Sequence, residues 1–597
     1  MCGYLGQISK KQVANKDFDE INARIICRGP DERIAKKKVL ENNSSSFSYN
    51  LIFNRLAILD LSKRGSQPMS SERFDTTIIF NGEIYNHAEC RSKLEGDGVN
   101  FYSNNSDTEV VLNGISLYGK NYINNLVGQF SFVFINNKTG YVLLARDRLG
   151  QKPLFYQFDK NTLSFSSDVK VVSQLCNNYE LDESSLYSFL SLSVVPSPET
   201  IYKNIKKLEP GQLIEFDFNK NTLAPNLENY WAPNNFLDNQ KFDLQEFNSL
   251  LDSSINLRTK ADVPIATFLS GGIDSTSIVK RQLDQGSQPN TFSVRYENDE
   301  FDESKWFNRV AEKYKTNHSV VDIKSDIDIT DVFDSLDCLD EPYSDPSVLP
   351  SYLISKAISH QYKVAISGDG GDELFGGYTR TELVLNRKNL YFSNLLFSSY
   401  PAVFGSGAKI KSKSKNIEDS YSSYLEDVKF LELLNIDKPK DYKIFYELSP
   451  NNKVSDQKRL FLSDYKFFLP ELMMLKVDRT SMANSLEVRS PYVDHRLVEY
   501  MFSHNISDNN LFRNKHYLKN YIEKDFDSDF VNRKKMGFVF NVEKFVYSNK
   551  DFFIEYFDKS EFIDNKTIKK LFRYKSRINA NRVWKILTLD YVVNGKR

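Results

Sequence analysis

Residues 262–284 read DVPIATFLSGGIDSTSIVKRQLD, and this stretch decides the fold of the larger part of the chain. DVPIATFLS (262–270) is an apolar run that enters a loop as a strand, and STSIVKRQLD (275–284) is helical. Between them, Gly271 and Gly272 let the backbone approach an anion, and the helix N-terminus presents free N–H groups to it. A Gly-Gly pair alone would be an ordinary strand-to-helix turn. The Ser-Gly-Gly-x-Asp-Ser pattern is more specific, and no Gly-Lys-Ser or Gly-Lys-Thr follows, so the loop is not a Walker A loop.

Outward from this point the alternation continues. TFSVRY (291–296), HSVVDI (318–323) and KVAISG (363–368) read as strands, and ESKWFNRVAEKY (303–314) and LPSYLISKAISHQ (349–361) as helices. Such alternation predicts a parallel sheet covered on both faces. Beyond 380 the chain reads mostly helical, and the role of region 380–460 is open.

Upstream the pattern is different. LIFNRLAILDL (51–61) and TTIIFNGEIYN (76–86) are β-branched apolar runs, and FSFVFINNKTGYVLLARD (130–147) reads as a hairpin. DTEVVLNGISLYGK (107–120) reads as a helix with Asp107 as its N-cap. Four prolines and a polar stretch mark residues 176–244 as a transition. The expected organisation is therefore a β-rich unit at 2–175, a linker at 176–244 and an α/β unit at 245–597.

The chain has 597 residues, enough for two or more domains, and a net charge of −1, so no global basic field recruits nucleic acid or anionic lipid. No apolar run has the roughly 18–20 residues of a membrane helix, and the N-terminus lacks a secretory pattern, so cytosol is the default location. The five cysteines are widely spaced with no CxxC, against both a disulfide framework and a zinc site.

Cys2 stands apart because of its position. Removal of the initiator methionine would put a thiol and a free α-amine on one residue. An α-amine has an ordinary pKa of about 7.7–8.0, so near neutral pH it can act as the thiol's base. Behind Met-Cys-Gly come CRGPD (27–31), FNRLAILD (53–60), FNGEIYN (80–86), with Asn81 and Gly82 at a turn, and SNNSDTEV (103–110).

This ordered set resembles the class II glutamine amidotransferase domain, which implies an N-terminal-nucleophile (Ntn) hydrolase-like αββα sandwich. By that resemblance Cys2 attacks the glutamine side-chain amide, and Asn81 with the Gly82 N–H forms the oxyanion hole. Arg55 binds the α-carboxylate, Asp107 accepts from the α-ammonium, and Glu83 lies in the same pocket with Leu56, Ala57, Ile58 and Leu59. Many relatives carry His where this chain has Cys27, read here as a packing residue.

SGGIDS (270–275) resembles the pyrophosphate loop of ATP pyrophosphatases, implying a parallel-sheet α/β domain with a mostly helical C-terminal region. It implies release of AMP and pyrophosphate. SGDGGDELFGGY (367–378) and LPELMMLKVDRTSMANSLEVRSPYVDHRLVEY (469–500) resemble the glutamine-hydrolysing asparagine synthetase family. The resemblance makes Asp274 and Asp372 the Mg²⁺ carriers. It places ATP among Phe268, Leu269, Ser270, Gly271, Gly272, Asp274, Ser275, Val294, Ser367 and Gly368. Asp369 stands where studied relatives have Glu, and takes either pyrophosphate organisation or a proton from ammonia. Lys515 matches a lysine that stabilises the adenylation transition state.

Two sites on one chain make chemical sense, because a carboxylate needs adenylation before ammonia can displace AMP, and ammonia must travel protected between the sites. Aspartate is the expected acceptor. DEPYSDPSVLP (340–350) lacks the Arg of some asparagine synthetases, which makes a sugar acid (uronate) the second reading. A β-lactam synthetase would not need Cys2 with Arg55, Asn81 and Asp107. A non-catalytic regulator would not need both sets intact. The family commonly forms homodimers.

Overall fold

The computed structural model describes residues 2–10, 13, 17–42, 45–220, 223–296, 302–323, 327–386, 417–439, 454–506, 510–533 and 540–595. Much of region 380–460 lies outside the described residues.

Two six-stranded sheets occupy the N-terminal half. One is ordered β10-β8-β9-β1-β3-β2, with β1 at Gly3–Ser9, β2 at Glu32–Asn42, β3 at Ser45–Arg55, β8 at Phe155–Phe158, β9 at Thr162–Ser166 and β10 at Lys206–Lys207. The other is ordered β12-β11-β7-β6-β5-β4, with β4 at Met69–Ser71, β5 at Thr76–Ile84, β6 at Gly128–Asn136, β7 at Tyr141–Arg146, β11 at Gln212–Asp217 and β12 at Asn226–Asn229. Strand periodicity decides which side chains go between the sheets. Tyr4, Ile8, Tyr49, Leu51, Phe53, Ile79, Val133 and Ile135 form the inner core. Their neighbours in sequence face out: Leu5 and Ile52 pack with Val171 and Leu175, and Ile78, Phe80, Phe132 and Phe134 pack with Val110, Val111 and Ile115 of helix Asp107–Tyr118. The layers are αββα.

Three local readings change. Ser106, not Asp107, occupies the N-cap position of that helix; Asp107 is its first helical residue, and its carboxylate instead accepts from the Ile84 N–H at 2.9 Å. Asn81 and Gly82 lie inside β5, opposite Ser131 and Phe130 of β6, rather than at a turn. The strand requires glycine at position 82, at φ +154°, because no Cβ fits there: one would sit 2.0 Å from the Gln129 carbonyl oxygen. Cys27 is exposed rather than packed; its carbonyl accepts from Ser485 Oγ at 2.6 Å.

Residues 176–244 are woven into both halves. They supply β10, β11 and β12 to the N-terminal sheets, and helix Glu183–Leu192 to a large core shared with the C-terminal helix Arg577–Asn594.

The C-terminal half holds a parallel sheet ordered β15-β14-β13-β16-β17. Its strands are β13 at Ile265–Phe268, β14 at Asn290–Tyr296, β15 at Asn317–Ile323, β16 at Val364–Ile366 and β17 at Glu487–Arg489. Helices cover both faces, as alternation predicts. Phe247, Leu251 and Ile278 pack with Ile366 on one side, and Ile354 and Ile358 pack with Ala266, Phe292 and Val488 on the other. Among the described residues, no helix is long and apolar enough to cross a membrane.

The halves meet through charge and apolar contact. Arg28 makes a two-pronged ion pair with Asp478 at 2.9 and 3.1 Å, Lys152 lies 3.5 Å from the same carboxylate, and Arg479 bridges Asp478 to Asp340. Burial alone would raise the Asp478 carboxyl, but Arg28, Lys152 and Arg479 outweigh it and hold the group well below the usual carboxylate range. Beside this cluster, Leu56 and Ile58 pack on Val364 and Met482.

Candidate active site

The same period-two rule that builds the sandwich core builds the first site. Cys2 continues the inner-facing set Tyr4 and Ile8 of β1, Arg55 continues Leu51 and Phe53 of β3, and Asn81 and Glu83 continue Ile79 of β5. These residues therefore converge at one end of the sandwich. The Cys2 N–H donates to Asn81 Oδ1 at 2.9 Å, and Arg28 Nε donates to the Cys2 carbonyl at 3.3 Å. Asn81 is fully buried, and its Nδ2 has no hydrogen-bond partner among the described residues. A buried amide donor costs free energy when unpaired, so this one is reserved for something absent from the protein itself. Burial pushes the Cys2 thiol up, which makes it a poor nucleophile without a base.

Arg55 is held by carbonyls of its own loop: Nη1 donates to Ser62 O at 2.9 Å, and Nη2 to Asp60 O and to Leu59 O at 3.4 Å. These contacts leave part of the guanidinium's five N–H donors unspent. Leu56 and Ile58 are buried, and the Ala57 N–H donates to Asp31 Oδ2 at 2.7 Å, so the segment is pinned from both sides. Glu83 lies 3.4 Å from Arg489 Nη2. Burial raises the carboxyls of both Glu83 and Asp107.

The second site is a cavity of about 470 Å³ at the carboxyl ends of β13, β14 and β16, where open α/β sheets bind ligands. Phe268, Leu269, Ser270, Gly272, Asp274, Ser275, Val294, Ser367, Gly368, Asp369, Asp372 and Lys515 all line it. Gly271 does not; a Cβ there would lie 2.5 Å from Phe307 N. Helix Ile273–Asp284 starts at the cavity with Gly272 as N-cap, so its dipole and free N–H groups face the space.

Lys515 sits between the two acidic turns. Its ammonium lies 2.5 Å from Asp274 Oδ2 and 2.6 Å from Asp372 Oδ1. Burial alone would lower this lysine, yet the two carboxylates outweigh it and hold it above its ordinary value. Gly377 is required beside it, because a Cβ would fall 2.0 Å from Lys515 Cε. Asn514 and Lys515 adopt left-handed φ values of +47° and +58°, a conformation costing about 1–2 kcal/mol for each non-glycine residue. Bonds from their N–H groups to Gly376 O and Phe375 O, both 3.1 Å, hold them there.

Among the described residues, no group of three or more His, Cys, Asp or Glu is arranged to hold a metal ion. The oxygen donors of Asp274 and Asp372, in the first turns of helices Ile273–Asp284 and Gly371–Phe375, nevertheless fit Mg²⁺, which takes one or two carboxylates and completes its shell with phosphate and water.

Sequence reading did not find Arg28, Asp345, Ser347, Lys476 or Arg489. The first touches Cys2, the next three line the cavity, and the last faces Glu83. Arg28 lies in the quoted CRGPD turn and Arg489 in the Leu-Glu-x-Arg pattern, but nothing in one chain shows that 489 returns to 83.

The family described as asparagine synthase matches residues 246–594, and that described as a glutamine amidotransferase domain matches residues 1–231. A putative glutamine-hydrolysing asparagine synthetase 2 of Methanocaldococcus jannaschii is 31% identical over 525 residues, covering 81% of this chain and 98% of the relative. Glutamine-hydrolysing asparagine synthetase 1 of Bacillus subtilis is 31% identical over 571 residues, covering 90% and 87%.

Proposed function

The chain belongs to the asparagine synthase family and is a glutamine-dependent ligase, and on that premise we propose that it converts aspartate to asparagine through an acyl-adenylate. Residues 2–175 with the strands of 176–244 form the glutaminase unit, and 245–597 the synthetase. The observation that carries the first half is the unspent Asn81 Nδ2 beside Cys2.

With Met1 removed, the Cys2 α-amine takes the thiol proton as sulfur attacks the glutamine carboxamide. Asn81 Nδ2 and the Gly82 N–H receive the oxyanion. Arg55 grips the α-carboxylate, and Asp107 and Glu83 the α-ammonium, near Leu56, Ala57, Ile58 and Leu59. The protonated amine then gives its proton to the leaving nitrogen, releasing ammonia and leaving a thioester that water opens to glutamate.

In the second site ATP lies along Phe268–Ser275, with Val294, Ser367 and Gly368 around the adenylate. Mg²⁺ on Asp274 and Asp372 supplies charge neutralisation to the phosphates when bound. The acceptor carboxylate attacks the α-phosphorus, pyrophosphate leaves, and Lys515 balances the charge that develops. Ammonia attacks the acyl carbon, and AMP departs. Asp369, in the cavity wall, organises pyrophosphate or takes the proton that ammonia must lose.

A uronate is the second reading for the acceptor. It is favoured by the wall segment Asp345–Ser347, which presents a carboxylate and a hydroxyl to the cavity rather than a cation. Incubating the protein with ATP, Mg²⁺, glutamine and a panel of acids, with mass spectrometry of products, decides between them. Asparagine formation supports the first reading. Turnover of a nucleotide-linked uronate without asparagine replaces it. AMP and glutamate absent with every acid removes both.

A further inference from the structure

One wall of the first site is supplied by the second half of the chain. Strand β17 is three residues long, and its alternation sends Val488 into the cavity wall and Glu487 and Arg489 to the opposite side. Arg489 is fully buried. Its Nε donates to Glu487 Oε1 at 2.5 Å, and its Nη1 donates to Lys260 O at 2.6 Å and Arg258 O at 3.2 Å. The remaining nitrogen, Nη2, makes no hydrogen bond among the described residues and lies 3.4 Å from Glu83 Oε2. Glu83 shares the inner face of β5 with Asn81, which binds the Cys2 N–H. Contacts therefore run unbroken from the nucleophile, along β5, to the edge strand of the synthetase sheet.

The surroundings of Glu83 are costly for a carboxylate. Burial is the main force raising its carboxyl, and Asp107 of helix Asp107–Tyr118 and Glu487 of β17 act the same way; Arg489 is the larger cation that opposes them and the chain's N-terminal amine the smaller. His87 acts on Asp107 rather than on Glu83. Tyr85 lies beneath Arg258, whose guanidinium carbon is 4.5 Å from the ring centroid. Two buried carboxyls side by side without a cation share a proton, and a protonated acid cannot grip an ammonium group.

We infer that Arg489 is a positioning residue of the glutaminase pocket, supplied by the synthetase half, which holds Glu83 as a carboxylate so that it receives the α-ammonium of glutamine. The inference rests on the glutamine pocket proposed above. It makes the synthetase sheet part of the glutaminase, so glutamine affinity depends on a residue of the other catalytic unit.

The test uses the full-length protein carrying Arg489→Met or Arg489→Lys, assayed with glutamine and, separately, with ammonium as nitrogen donor. The glutamine KM of Arg489→Met rises by about tenfold or more, the expected scale for losing one charge-assisted contact, and Arg489→Lys recovers part of it. Ammonium-supported synthesis stays near wild type, which also reports folding. The KM penalty shrinks as pH rises, because burial holds the Glu83 carboxyl above its ordinary value and a higher pH removes the proton that the missing cation no longer displaces. Equal losses with both donors, or an unmoved glutamine KM in Arg489→Met, overturn the inference. Asp107→Asn runs alongside: if it raises the glutamine KM while Arg489→Met does not, the pocket stands and the role of Arg489 falls. If neither variant moves KM, the pocket reading falls and takes the inference with it.

Discussion

Replacing Lys515 by methionine should make the stability of the synthetase half depend on Mg²⁺. The lysine side chain is 8% exposed, and its partners Asp274 and Asp372 are 20% and 14% exposed. Removing it leaves two facing carboxylates without their cation in a largely desolvated site. Breaking a buried pair by deleting one partner costs about 3–5 kcal/mol. For a unit the size of residues 246–594, that lowers Tm by about 4–7 °C. Mg²⁺ bound between the same carboxylates returns about 2.7 kcal/mol at a hundredfold excess over its Kd. In the wild type the ammonium already offsets half of the pair's charge, so Mg²⁺ alone shifts Tm less than in the variant. Differential scanning calorimetry in EDTA and in Mg²⁺ measures both quantities. AMP formation should drop at least about a hundredfold, the scale of losing one charge stabiliser, while glutamate release continues. Two results would refute the reasoning: Lys515→Met melting with the wild type in EDTA, or Mg²⁺ shifting both proteins equally.

Cys2→Ala should abolish glutamate release while synthesis from ammonium persists; parallel loss with both donors would contradict two separate sites. Asp274→Ala should stop AMP production and leave some glutaminase activity, and a normal AMP yield would remove Asp274 from the metal role. Gly82→Ala forces a Cβ to within 2.0 Å of the Gln129 carbonyl, so glutaminase turnover should fall far more than ammonium-dependent synthesis, measured by product analysis with each donor. Glu373 is raised to about 7, chiefly by burial, despite the 2.7 Å bond from Tyr378 Oη. Between its ordinary 4.5 and 7 the unfolded chain ionises while the folded one does not, so stability declines with rising pH by about 3 kcal/mol across that window. Glu373→Gln should flatten that decline in urea titrations at successive pH values; an unchanged slope would refute the assignment.

The extent to which this was legible before folding follows from the range of each signal. Strand–loop–helix alternation from 262 to 368 is local, and each predicted element appears within a few residues of its expected place. The cavity residues were also legible, because the Ser-Gly-Gly and Gly-Asp-Gly-Gly-Asp loops both follow strands of one parallel sheet. Asn81 and Gly82 were misplaced at a turn because glycine and asparagine usually mark one. Here the glycine marks instead a strand whose partner's backbone comes too close for any Cβ. Asp107 has a good capping residue's identity, but its carboxylate is engaged across the sheet by the Ile84 N–H. Residues 176–244 look like a linker because prolines interrupt short strands that only a pre-existing sheet edge can stabilise. The pairs Arg28–Asp478 and Glu83–Arg489 span more than four hundred positions, and no periodicity in one sequence encodes them.

Asp478 works as a component shared by both halves rather than as a simple contact between them. Three cations, Arg28, Lys152 and Arg479, converge on this one carboxylate, and two of them come from the opposite half of the chain. A chimera that grafts a foreign glutaminase onto this synthetase would bury an anion that had lost two of its three counterions with the discarded donor, keeping only Arg479. Domain shuffling is thereby made expensive, and the halves must be exchanged, split or redesigned as a matched set.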